Sequence, residues 1–226
     1  MREHVVLDNP VWNALGSRQR DMAQCNGAAR RYDREVTPLV GLERTDVAAF
    51  ADLRAMVEPA EVVGLVRAAP YSVPQGWTVM REITIDQMIC DAVPGATDIE
   101  LIALGLADAP EMLDLAKATE PGPFRAGTVR MGRYRGIRDA DGRLMAMAGE
   151  RMRLDAFTEI SGVCTWPEFR GRGLAKALVS ALAVEIANEG RTPFLHVKTD
   201  NAARLLYEKL GFRVRTQVHF KVIAAA

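Results

Sequence analysis

The sequence predicts an α/β fold, and two stretches carry that prediction. In the first, the apolar run 160–165 leads into the Gly-rich turn Arg170-Gly171-Arg172-Gly173, which opens a long amphipathic segment over 172–189. In the second, the extended run Phe194-Leu195-His196-Val197 precedes a helix start at Asp200-Asn201 and a helix over 202–210. Gly211 stops that helix, and Phe212-Arg213-Val214 begins another extended run. A strand, a Gly-rich turn and a helix form an anion cradle: the first amides of the helix have no partner, and its dipole favours negative charge there.

Taken in order, Asn9-Pro10-Val11-Trp12 begins an irregular or helical section that runs past Ala28. Residues 37–42 read as a strand, and Thr45-Asp46 caps a helix over 46–56. Strands follow at 61–67 and 78–85, the second placing Val79, Arg81, Ile83 and Ile85 on one side, with a turn at Pro70, Pro74 and Gly76 between them. Val93-Pro94-Gly95 marks a boundary, giving an α/β N-terminal extension over 1–95 and a second domain over 96–226. Beyond it, 99–104 is an apolar strand, and a helix starts at Asp108 or Ala109 with Pro110 in its first turn. Residues 134–138 and 143–153 form a hairpin across Asp139-Ala140-Asp141-Gly142, followed by a strand at 158–165. The helix over 172–189 carries Leu174, Leu178, Leu182 and Ile186 at steps of four, a packing stripe closed by Gly190.

Bulk properties exclude several classes. A chain of 226 residues that is 49% hydrophobic supports a real core. Lys plus Arg equals Asp plus Glu at 29 each, so no global field favours nucleic acid. Cys25, Cys90 and Cys164 make no disulfide framework, and with three histidines they give no metal-ligand spacing, so no metal is expected. The charged start (Arg2, Glu3, His4, Asp8) is no signal peptide, and no run approaches a membrane span, so the expectation is a soluble cytoplasmic protein.

The common nucleotide motifs fail. No P-loop string occurs, and Gly171-x-Gly173-x-x-Lys176 breaks the dinucleotide fingerprint at its third position. Arg170, Gly173 and Ala175 fill the pattern Arg/Gln-x-x-Gly-x-Gly/Ala, which resembles the acyl-CoA-binding motif of the GCN5-related N-acetyltransferase (GNAT) superfamily. The string from Asn201 through Leu206-Tyr207 to Gly211-Phe212 is similar to a second signature of that superfamily, Asn-x-x-Ala-x-x-Leu-Tyr-x-x-x-Gly-Phe, although Arg204 stands where that form has Ala. The resemblance covers about 98–220. It implies the GNAT-type acyl-CoA N-acyltransferase fold, a mixed central sheet flanked by helices, with 96–226 as the acetyltransferase domain. Residues 1–95 are then a degenerate half-copy or a lid over the acceptor site, and both readings stay open.

The resemblance also implies site residues. CoA pyrophosphate would lie on the turn formed by Arg170, Gly171, Arg172, Gly173, Leu174, Ala175 and Lys176. The pantetheine arm would run beside Val163, Cys164 and Thr165, and Asn201 would cap its helix, contact that arm, or do both. Tyr207 matches the tyrosine that protonates the departing thiolate. An alkyl ammonium with a pKa of about 10 is almost wholly protonated at pH 7, so a base is useful. Glu159, a charged residue on a central strand, is the candidate, with Glu150 as rival. Cys164 lies near the expected thioester, but no His stands at a diagnostic spacing and burial as a small hydrophobe is its expected role. His196 reads as structural. Tyr71, Trp77, Phe124 and Tyr134 are candidates for an acceptor wall.

The function expected is transfer of an acetyl group from acetyl-CoA, as co-substrate, to a primary amine. A small molecule is favoured over a protein, with no nucleic-acid or membrane partner and with monomer or homodimer left open. The alternative is a non-catalytic acyl-CoA sensor, which would need neither Tyr207 nor Glu159.

Overall fold

The structure, a computed structural model, describes residues 3–95 and 97–226; Met1, Arg2 and Ala96, the first residue of the expected second domain, lie outside the described residues. A 3-10 turn (Glu3–Asp8) leads into α1 (Pro10–Leu15), which starts on Pro10, and then into the short strands β1 (Gln24–Asn26) and β2 (Ala29–Arg31). Next come β3 (Leu39–Leu42), α2 (Val47–Arg54), β4 (Val62–Arg67) and β5 (Trp77–Cys90). After these follow β6 (Ile102–Leu104), α3 (Ala109–Thr119), β7 (Tyr134–Arg138) and β8 (Leu144–Arg153). The chain continues through β9 (Phe157–Thr165), α4 (Leu174–Asn188), β10 (Thr192–Lys198), α5 (Ala203–Lys209) and β11 (Phe212–Ala225).

Most of these elements fall within a few residues of the expectation. The section after Asn9 is helical only to Leu15 and ends in the β1–β2 hairpin, and the strand expected at 99–104 keeps only its last three residues. Strands β5 and β11 have 14 residues each: β5 runs well beyond the expected 78–85, and β11 is the extended run that begins at Phe212. Polar residues interrupt their apolar pattern, and distant partners satisfy those residues. Asp86 meets Thr199, Arg204 and Gln217, while Gln87 meets Leu7, His196 and Arg215.

The eleven strands make one mixed sheet in the order β1-β2-β3-β4-β11-β5-β10-β9-β8-β7-β6. Its middle pair, β11 and β5, is antiparallel. Outward from β11 the neighbours are antiparallel β4, then parallel β3, then antiparallel β2 and β1. Outward from β5 the same relations recur with β10, β9, β8 and β7. Helix α2 joins one parallel pair and α4 joins the other. The α4 stripe of Leu174, Leu178, Leu182 and Ile186 is buried against β8, β9 and β10, with Ala146, Ile160 and Leu195 among its neighbours. Each such side chain removed from water contributes roughly 1.5–3 kcal/mol. Among the described residues no helix is long and apolar enough to cross a membrane.

Candidate active site

The site begins with two strands that separate. β9 and β10 pair only at Phe157, Thr158 and Glu159 against Thr192, Pro193 and Phe194. Past that point β9 is bulged, advancing from Ser161 to Cys164 while β8 moves only from Gly149 to Met147, with Gly162 in the left-handed region at φ 62°. A bulge bends its strand and leaves a residue outside the ladder, so a backbone amide is freed there. The cleft that opens has a volume of about 420 Å³. Ser161, Gly162, Val163 and Thr165 line one wall and residues 195–198 the other, with Arg170, Ala175, Asn201 and Tyr207 around it.

Helix α4 opens beside this cleft. Gly171 and Gly173 have φ of 77° and 78°, and a Cβ on either would meet nothing within 4 Å. The demand for glycine is therefore conformational, not steric. Ala177 donates to the Gly173 carbonyl at 3.0 Å, so the amides of Leu174, Ala175 and Lys176 have no partner inside the helix. Gly173, as the residue before the helix, offers no side chain to cap them. The positive end of a 15-residue helix with free first amides thus lies beside the cleft, which Ala175 borders.

The expected cofactor-binding residues divide among several places. Val163, Thr165, Arg170, Ala175 and Asn201 line the cleft. Arg170 Nε also donates to the Thr165 carbonyl at 3.4 Å, and Asn201 Oδ1 accepts from the Ala203 amide at 2.9 Å, so Asn201, two residues before α5 rather than at its N-cap Ala202, holds the first amide of that helix and borders the cleft. Leu174 is buried in the core under α4. Lys176 and Gly173 line a separate cavity of about 550 Å³ with Lys209 and Pro94. Gly171 and Arg172 are exposed, and the Arg172 guanidinium lies 5.1 Å from the Phe169 ring centroid. Cys164 points into a different cluster with Tyr134 and Met147. Burial pushes its thiol up to about 12, so it is no nucleophile, and Cys164 is not among the residues that line the cleft.

Tyr207 lines the cleft, its ring edge-on to Phe212 at 6.2 Å, and burial pushes its phenol up to about 12. Glu159 is fully buried and does not line the cleft. Arg151 donates to it through Nε at 2.7 Å and Nη2 at 2.5 Å, and His196 Nδ1 lies 2.7 Å from the same carboxylate. Burial alone would raise its pKa, but Arg151 and then His196 override burial and hold it at about 2. The rival Glu150 is equally buried and held by Arg133, with Nε at 2.9 Å.

His196 lines both the cleft and a smaller cavity of about 100 Å³, with its side chain almost wholly buried. Gln87 fixes its tautomer. Gln87 Oε1 accepts from Arg215 Nε at 2.6 Å and Gln87 Nε2 donates to the Leu7 carbonyl at 2.9 Å, so the remaining amide proton points at His196 Nε2, 3.0 Å away. His196 therefore accepts at Nε2 and donates from Nδ1 to Glu159. Sequence reasoning singled out neither Arg151 nor Gln87. Their signal was weak but present: Arg151 is a charge inside the long strand β8, and Gln87 a polar residue inside β5.

Of the expected acceptor-wall aromatics, Phe124 lines a neighbouring cavity of about 540 Å³. Tyr71 is instead core, its hydroxyl donating to the Leu65 carbonyl at 2.9 Å. Tyr134 is buried edge-on to Phe124, and Trp77 packs edge-on to Phe50 at 6.0 Å. Their apolar bulk fills sequence-distant packing that no local pattern announces.

The family profile described as FR47-like protein matches residues 134–220. No curated protein is significantly similar to the chain in sequence. The crystal structure of a protein from Novosphingobium aromaticivorans DSM 12444 assigned to the GNAT family of acetyltransferases is 43% identical, over 97% of this chain and 98% of that one, with a TM-score of 0.89. A GCN5-related N-acetyltransferase from Kribbella flavida, 15% identical over 94% of this chain and 95% of that one, shares the fold with a TM-score of 0.62. A Drosophila protein, 18% identical over 88% of this chain and 73% of that one, does so with the same TM-score of 0.62.

Proposed function

The chain belongs to the GNAT family of acetyltransferases, and on that footing we propose that it transfers an acetyl group from acetyl-CoA to a primary amine of a small molecule. The observation that carries this reading is the unpartnered start of α4, whose Ala175 borders the cleft between β9 and β10. Acetyl-CoA supplies a thioester: the neutral amine forms a C–N bond to its carbonyl carbon, the C–S bond breaks, the nitrogen gives up one proton to solvent, and the departing thiolate takes one.

The residues present fit that co-substrate. Amides of residues 174–176 and Arg170 would hold the pyrophosphate, and the β9 edge at Val163 and Thr165 would hold the pantetheine arm. An amide freed by the bulge at Gly162 would serve as the donor that a thioester oxygen needs. Tyr207 keeps its proton through the neutral range and is the proton source for the thiolate.

Glu159 takes a different role from the base first expected of it. With its pKa held at about 2 and its oxygens engaged by Arg151 and His196, it is a positioning residue that fixes the imidazole. The acceptor reacts from its deprotonated fraction, and the charge of Lys198 at the junction of the two cavities enlarges that fraction by disfavouring an ammonium nearby.

The test is incubation of purified protein with radiolabelled acetyl-CoA and two cell fractions, one of metabolites and one of proteins. Label enters the metabolite fraction, and Tyr207→Phe cuts the turnover by about a hundredfold while acetyl-CoA still binds. Label in the protein fraction alone would move the acceptor to a protein. No label in either, with acetyl-CoA bound tightly, would favour a sensor.

A further inference from the structure

Arg151 is committed to Glu159 through Nε and Nη2, and its third nitrogen, Nη1, has no hydrogen-bond partner among the described residues. Nη1 lies 4.0 Å from where a Cβ on Gly122 would stand, and Gly122 and Arg151 both line the cavity of about 100 Å³ beside His196. The rest of that wall is mostly apolar, with Leu39, Val66, Ile83 and Phe220, and no carboxylate lines it. A guanidinium donor facing an apolar space costs free energy unless a ligand or water meets it. Glu159 balances the charge of Arg151, so the charge left over is that of Lys198, which lines both this cavity and the cleft and has no ion pair among the described residues. The combination calls for one negative charge next to a small aliphatic body.

Resting on the acetyltransferase reading above, we propose that the acceptor is an aliphatic amine bearing a carboxylate, an α-amino acid or a close analogue. Arg151 Nη1 and Lys198 hold the carboxylate, and Leu39, Val66, Ile83 and Phe220 enclose the side chain. The small volume favours a branched aliphatic group over a fused ring system, since a cavity of roughly 150 Å³ already holds a benzene. The cation pair also orients the molecule: with its carboxylate held in the smaller cavity, the amine points across His196 and Val197 toward the cleft.

The test compares L-leucine, L-leucinamide and 3-methylbutylamine, which share one aliphatic body, by thiol release from acetyl-CoA. Leucinamide has the less basic amine and is more often free at neutral pH, so intrinsic reactivity favours it. The expected result is a kcat/KM for leucine at least tenfold above both others, with the gap shrinking at least fivefold in Lys198→Met. Removing Arg151 alone strands Glu159 and endangers folding, so Arg151→Gln is paired with Glu159→Gln, and the double variant loses the preference for leucine. Equal use of all three amines overturns the proposal and leaves the acetyltransferase reading standing. If no amine releases thiol and acetyl-CoA does not bind, that reading fails. The carboxylate site is then judged by calorimetry, where N-acetylleucine binding no better than N-acetylleucinamide overturns it and a tenfold advantage supports it.

Discussion

At the scale of single residues, the Glu159 carboxylate shows how environment decides chemistry. It lies between Arg151 of β8 and His196 of β10, with the phenols of Tyr32 and Tyr134 close by, and it stays ionised down to a pH of about 2. A group with so low a pKa cannot produce a break in a rate profile near neutrality. The expected pH dependence of kcat/KM is therefore a rise with unit slope from about pH 6 that levels at the pKa of the acceptor amine. Measured with two acceptors of different basicity, the break should move with the acceptor. Loss of turnover in Glu120→Gln with acetyl-CoA binding intact would instead give the base role to Glu120, the carboxylate that does line the cleft. Glu159→Gln should leave Arg151 buried without its counter-charge and destabilise the fold by about 3–5 kcal/mol in urea titrations. The sign with pH follows from the lowered pKa: the stability Glu159 confers is full above the unfolded carboxylate range and fades as pH falls toward 2. Such a pair is hard to read from sequence. Arg151 and Glu159 are eight positions apart, and only the hairpin brings them together.

At the scale of elements, α4 and α2 present opposite starts. Asp46 caps α2 by accepting from the Ala49 amide at 2.8 Å, and that bond lowers its pKa. An anion is already built into that helix start. Helix α4 has Gly173 in the same place and leaves its amides free for an anion from outside. Both starts were legible locally, one from Thr45-Asp46 and one from Arg170-Gly171-Arg172-Gly173, as was the leucine stripe of α4. The bulge at Gly162 and the parting of β9 from β10 were not, because they depend on register with β8 and β10. Gly173→Ala places a side chain at φ 78° and should cost about 1–2 kcal/mol, lowering Tm by a few degrees. It should also weaken acetyl-CoA binding about tenfold. Gly142→Ala, at φ 83° in the β7–β8 turn with equally open surroundings, is the control: a similar loss of stability with acetyl-CoA affinity unchanged. Equal affinities for both variants would show that the turn before α4 does not hold the co-substrate.

At the scale of the whole molecule, the first four strands outward from β11 and from β5 follow the same pattern, with β6 added at one edge, and each of these two central strands pairs with the other half of the chain. β5 pairs with β10, and β11 with β4. We infer from this pattern that residues 1–95 are a degenerate half-copy of the fold rather than a lid, with the cradle lost at α2. Polar contacts tie the halves further. The buried Gln19 donates to the Met131 and Arg151 carbonyls and accepts from Tyr32, and Thr128 donates to the Val36 carbonyl. The two halves should therefore unfold together. Single-tryptophan variants retaining Trp12, Trp77 or Trp166 should give superimposable urea transitions, and two separate midpoints would refute the interlocked reading. The individual strands of this arrangement were mostly visible in the sequence. Their exchange was not, since hydrophobic alternation says which face is buried but not which strand lies alongside.

The exchange also sets an order on biosynthesis. Strand β11 occupies the middle of the sheet yet follows every other strand in the chain. While a ribosome is still making the residues before it, β4 and β5 each present a bare edge, and the long ladder between them has not begun. Closure joins partners as far apart as Trp77 and Ala225, a demanding contact for a nascent chain. During translation this protein would thus be an open sheet needing protection by chaperones or by speed, and changes that weaken β11 should show first as poor yield rather than as poor catalysis.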